Sequence, residues 1–193
     1  MKTMYEILKD KKSIRVTEKI ENKIYDFYAF VGYHPIVREL MLTKTHAGEA
    51  GCFMWMFVEK DKAKAAVVIR NLSGEIESVC FVIYDSFIIG NSASTDASSL
   101  GNMGFYTHDK YRGNNNMING AKFMVKNLSK IIDNFDERVF YIQDYICDKL
   151  REEIPEITIE PIMFAENDGS HSCNLKHPYS IDFNTIVENC WCS

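Results

Sequence analysis

The residues best suited to chemistry fall in one run, Gly104-Phe-Tyr-Thr-His-Asp-Lys-Tyr-Arg-Gly-Asn-Asn-Asn-Met. Residues 103–107 read as a strand and 108–114 as a turn. Residues 115–132 read as a helix, because Met117, Ile118, Ala121, Met124, Val125, Leu128 and Ile132 recur at helical spacing. A strand that enters a helix through a turn of small residues aims unpaired backbone N–H groups, and the positive end of the helix dipole, at one spot. Such a spot suits a diphosphate. Arg112 adds a fixed positive charge at its rim, and Gly113 allows close backbone approach. Asn114, Asn115 and Asn116 tolerate left-handed conformations while offering side-chain donors. The competing reading is an amphipathic helix behind a polar turn that binds nothing.

The segment from Thr107 through His108, Asp109, Lys110, Tyr111 and Arg112 to Gly113 resembles the acyl-CoA-binding element of the GNAT superfamily of N-acyltransferases. There a hydrophobic strand and a short turn lead into Tyr-Arg-Gly-x-Gly-x-Gly and a helix. Arg112 and Gly113 match the first two places of the loop, and the backbone from Asn114 to Met117 would supply the other amides. Asn115 and Met117 stand where the family carries further glycines. The resemblance implies acetyl-CoA as cosubstrate and a cleft for its pantetheine arm where the strand splays from its neighbour. It also implies a strand amide among Gly104, Phe105 and Tyr106 that polarises the thioester carbonyl. The fold implied is mixed α/β, a mostly antiparallel central sheet flanked by helices.

Attack of an amine on a thioester needs a neutral nucleophile, a donor to the developing oxyanion and a proton for the leaving thiolate. Many members of the family place a tyrosine in the helix after the fifth strand, where this chain has Tyr145. Tyr141, on the preceding strand, is the rival donor, and His108 is a candidate base. A tyrosine packed in the core and a solvent-exposed turn histidine are the competing readings.

The elements that must position these residues follow from patterning. Residues 13–16 read as a strand, and Thr17 as the cap of a helix carrying Ile20, Ile24, Phe27, Tyr28 and Val31, stopped by Gly32. A short helix over 35–41 would complete a helix pair covering one sheet face. Strands follow at 52–58, 65–70 and 77–84, separated by polar turns at 60–62 and 71–74, an antiparallel meander. Residues 87–89 extend the third of these, and the small, polar stretch 91–99 reads as a loop. Beyond the central helix come a strand over 138–142, a helix over 145–153 and a strand over 157–163.

The chain has 193 residues, 46% hydrophobic and 25% charged, without a composition break or internal repeat; it reads as a single domain over 1–193 with 164–193 as its C-terminal extension. The extension closes the acceptor cleft, packs as a last element or forms a homodimer contact. A net charge of -5, with no basic stripe, argues against nucleic acid. No run reaches a membrane span, and the charged N-terminus is unlike a signal peptide, so a cytoplasmic protein is expected. Six cysteines without regular pairing read as free thiols, and His171, Cys173, His177, Cys190 and Cys192 lack zinc-site spacing, so no metal is expected. Hydrolase and nucleotide-binding signatures such as G-x-S-x-G, Walker A and H-E-x-x-H are absent.

Three functions are carried forward. The first is direct transfer of an acetyl group from acetyl-CoA to a primary amine on a small molecule or protein. The second is a catalytically inactive GNAT-like binding or inhibitory protein, prompted by the two replaced loop glycines. The third is a DNA-base modifier resembling the phage Mom-type relatives, which the missing basic stripe disfavours.

Overall fold

From Ser13 onward, exposure alternates residue by residue, and the chain folds as a hairpin, β1 (Ser13–Ile20) against β2 (Lys23–Val31). The helix expected after Thr17, through Ile20, Ile24, Phe27, Tyr28 and Val31, is therefore corrected. Residues 20 and 23 pair directly across a turn in which Glu21 is left-handed, with φ 55°. The β-branched and aromatic residues of β2 are buried on both of its faces, so an apparent helical spacing within them is incidental.

The computed structural model describes residues 2–42, 62–82, 87–89, 92–94, 99–142 and 144–161. The chain begins with a helix that the sequence reading missed, α1 (Met4–Lys11). Its capping box is complete: the Glu6 amide donates to Thr3 Oγ1 at 3.2 Å, and the Thr3 amide donates to Glu6 Oε2 at 2.8 Å. The expected short helix is present as α2 (Pro35–Leu42), followed in the described residues by β3 (Ala63–Asn71) and β4 (Ile76–Val82). Residues 87–89 do not extend β4; they form β5 (Phe87–Ile89), paired with β6 (Ser92–Ser94), so part of the expected 91–99 loop is a strand. Then come β7 (Ser99–Thr107), a 3-10 turn (Asp109–Tyr111), α3 (Asn116–Leu128), β8 (Val139–Ile142), α4 (Asp144–Glu153) and β9 (Thr158–Pro161). The expected strand over 52–58 and the extension 164–193 lie outside the described residues.

The architecture is mixed α/β. Strands β1, β2, β3, β4 and β7 lie side by side as an antiparallel sheet, which β8 and β9 continue in parallel, giving the order β1-β2-β3-β4-β7-β8-β9. Helices α1, α3 and α4 cover one face, where Met4, Leu8, Met124, Leu128 and Leu150 meet Phe27, Val67 and Phe140. Helix α2 packs Ile36, Val37 and Leu40 on the other face against Phe30, Val68 and Phe81. Each fully buried aliphatic or aromatic side chain contributes roughly 1.5–3 kcal/mol, so packing on both faces, and not propensity, holds these short helices. No helix among the described residues is long and apolar enough to cross a membrane.

His34 closes the N-terminus of α2, its Nδ1 accepting from the Ile36 amide at 3.2 Å while its ring leans on Tyr28 and Phe30. Burial, seconded by Arg15, lowers its pKa below the ordinary value near 6.5. The folded state therefore binds this proton less readily than the unfolded chain, and stability falls as pH drops below about 6.5. The urea midpoint should be lower at pH 5.5 than at pH 7.5. His34→Asn, which retains a capping acceptor, should reduce that difference; an identical pH dependence in wild type and variant would exclude His34 as the titrating group.

Candidate functional site

Strand β7 is shared between neighbours that run in opposite senses. On one edge residues 103–107 pair with β4, from Met103 opposite Val82 to Thr107 opposite Ser78. On the other edge only its first part meets β8, with Ser99, Gly101 and Asn102 in register with Val139, Phe140 and Tyr141 and a shift between Ser99 and Gly101. Strand β8 ends at Ile142 and α4 begins at Asp144. The two strands thus part company where β7 heads towards the turn. A crevice at the carboxyl ends of parallel strands is where open α/β sheets take ligands.

The turn that follows β7 is tightly determined. The His108 amide donates to the Glu77 carbonyl at 2.9 Å, and His108 Nδ1 accepts from the Lys110 amide at 3.2 Å, so the histidine caps the 3-10 turn. Gly113 has φ 84°, a conformation that strains any L side chain, and Asn115 is left-handed with φ 55° at the cap of α3. Asn115 makes no side-chain capping bond, and the first intrahelical bond runs from the Asn119 amide to the Asn115 carbonyl at 3.0 Å. The amides of the first helical turn are consequently left without an intrahelical acceptor or a cap.

The expected cofactor residues divide by placement. Asn114 and Asn115 are exposed, whereas Met117 turns its bulk towards the core beneath α3. Asn116 is 2% exposed, its carboxamide directed inward. Arg112 is exposed and pairs with Asp109 at 2.8 Å, a surface ion pair worth at most about 1 kcal/mol. Phe105 packs with the α3 core cluster. Tyr106, opposite Val79, lies half-buried on the other face; burial first and Asp109 second raise its phenol pKa, against the pull of Arg112. Gly104 is opposite Phe81, and a methyl group built on it would overlap that ring.

Of the proposed proton carriers, Tyr141 is half-buried on β8 beside Asn102, where β7 and β8 still pair. Tyr145 takes the second position of α4; its side chain lies outside the described residues. Among the described residues no cluster of His, Cys, Asp and Glu is arranged to hold a metal, and His171, Cys173, His177, Cys190 and Cys192 lie outside them. Cys80 and Cys147 are buried and outside any disulfide, and the Cys147 thiol donates to the Ile159 carbonyl at 3.8 Å.

Two supports of the turn were not read from the sequence. Tyr111 donates its hydroxyl to Glu75 Oε2 at 2.6 Å, which fastens the turn to the β3–β4 hairpin. Glu77 sits at a register shift: Ile69 pairs with Ser78 and Arg70 with Ile76, so Glu77 is the residue left over. Bulges redirect side chains in this way. Its carboxylate accepts from Asn116 Nδ2 at 3.0 Å and pairs with Lys23 Nζ at 2.9 Å, and Lys23 also donates to Asn116 Oδ1. Pairs separated by 39 and 93 positions carry no local sequence signal. A separate groove of about 860 Å³ lies at the far end of α3, lined by Val125, Ser129, Ile132, Phe135 and Ile154, and shares no residue with the loop.

No family model matches the chain, and neither a curated protein nor a solved structure matches it.

The contact at Gly104 gives a direct test of how β7 is seated. Gly104→Ala should destabilise the protein by roughly 1–3 kcal/mol, because the Phe81 ring must move in a packed layer. Combining it with Phe81→Leu should recover part of the loss in urea unfolding. An unchanged midpoint in Gly104→Ala alone would show that the strands are not seated this closely.

Proposed function

We propose that this chain is an acyl-CoA-dependent N-acyltransferase of GNAT-like fold, which takes acetyl-CoA at residues 112–117 and transfers the acetyl group to a primary amine in the cytoplasm. The observation that carries the reading is the crossover from β7 through α3 to parallel β8. In it, β7 pairs with its parallel neighbour only as far as Asn102, and beyond its end the left-handed Gly113 and Asn115 lead into the uncapped first-turn amides of α3. The diphosphate of the cofactor meets those amides and the pantetheine arm follows the crevice. The thioester carbonyl then lies along residues 104–106. The amine nitrogen attacks the carbonyl carbon and gives up a proton to His108 or water, the C–S bond breaks, and the departing thiolate takes a proton from Tyr145 or Tyr141, which the amine's proton restores.

A second reading, a GNAT-like binding or inhibitory protein without catalysis, draws on the Arg112–Asp109 pair and on Asn115 and Met117 at glycine places. Acetyl-CoA at about 100 times Kd should stabilise a binder by about 2.7 kcal/mol, and acetylation of an amine panel separates an enzyme from a binder.

Arg112→Ala should alter unfolding stability by no more than a few tenths of a kcal/mol but weaken acetyl-CoA binding by about 1.5–3 kcal/mol, as loss of a charge-assisted phosphate contact requires. Equal affinity in the variant removes Arg112 from the site. Tyr145→Phe should lower kcat by about 10²- to 10⁴-fold with cofactor affinity retained if Tyr145 is the donor. A loss confined to Tyr141→Phe moves the donor to β8, and full activity in both variants leaves His108 or water.

A further inference from the structure

We infer that Lys23, Glu77 and Asn116 form a buried positioning network for the diphosphate loop, an inference that rests on the acyl-CoA reading above. The three groups come from β2, from the bulge at the start of β4 and from the first residue of α3. Both polar ends of the Asn116 carboxamide are engaged, its nitrogen by the Glu77 carboxylate and its oxygen by the Lys23 ammonium. One rotamer satisfies both bonds. The Asn116 backbone, and with it the adjoining turn of amides, is thereby held from below while its outer side stays uncapped.

The placement is informative because a helix end is more simply secured by a Ser, Thr or Asp cap, which would occupy the very amides an anion needs. Here the fixing bonds are moved to the inner side. Glu77 is 5% exposed and the Lys23 side chain 17%, and ion pairs this deeply buried are seldom the most stabilising filling for such a space. Their geometry instead fixes one arrangement of the turn. Glu77 and Lys23 are positioning residues that act through Asn116; neither is assigned a contact with the cofactor.

Glu77→Gln separates positioning from simple electrostatics because the two predict opposite signs. Removing a negative charge near a bound diphosphate should by Coulomb's law tighten binding, whereas loosening Asn116 should weaken it. The expected result, by titration calorimetry with acetyl-CoA, is a Kd raised about tenfold or more in Glu77→Gln. In the free protein, hydrogen exchange of the Asn119 amide, which closes the first turn, should also be faster. Asn116→Ala leaves the Lys23–Glu77 pair intact, serves if Glu77→Gln does not fold, and should weaken binding likewise. Lys122→Ala, at the exposed Lys122–Glu153 pair farther along α3, should leave Kd unchanged. Wild-type binding with equal or tighter binding by Glu77→Gln and Asn116→Ala overturns the network and leaves the acyl-CoA reading standing. Failure of the wild-type protein to bind acetyl-CoA overturns that reading and this inference with it.

Discussion

Strand β7 cannot satisfy both neighbours along its whole length, and that constraint shapes the candidate site. It is antiparallel to β4 and parallel to β8, so it is the line at which a meander becomes a crossover. Parallel pairing requires a connection that carries the chain back along the sheet. Helix α3 is that connection, and its N-terminus therefore lies at the end of β7 where the ladder to β8 has already finished. Backbone donors and the end of the β7–β8 ladder meet there through topology, before any side chain is considered.

The packing explains why this geometry is held firmly. Gly104 lets Phe81 close against β7 from the α2 face, and Gly120 brings α3 close to Cys80 and Ile69 on the other, where an added Cβ would lie 3.2 Å from that of Cys80. Two glycines, one on each side of the sheet, set the distances at which strand and helix meet. The turn between them is fastened at two acidic residues of one hairpin, Glu75 outside and Glu77 inside.

Much of the fold was legible because its signals are local. The helix from residue 116 and the strand at 139–142 show their periods directly, the strands at 63–71 and 76–82 stand out as apolar runs set off by the polar turn between them, and Pro35 marks the start of α2. The β2 segment misled because it is apolar on both faces, which erases the period-two alternation that would separate strand from helix. Helix α1 was missed although Thr3 and Glu6 stand at capping-box spacing. At the site, Gly113 was readable because its residue type matches a left-handed backbone. Glu77 was not, since its role depends on a bulge that only the pairing of β3 with β4 creates.

The long reach of the Asn116 contacts has a consequence for the order in which the molecule assembles. Helical turns and tight hairpins close within microseconds, whereas contacts distant along the chain wait for the loops between them to close. Asn116 meets Lys23 across 93 positions and Glu77 across 39. The β1–β2 and β3–β4 hairpins are local and form without it. The first turn of α3 acquires its final orientation only after those hairpins have joined and the crossover has docked. Its geometry thus reports completion of the whole sheet, and a partly folded chain holds strands and helices before it holds this turn in place.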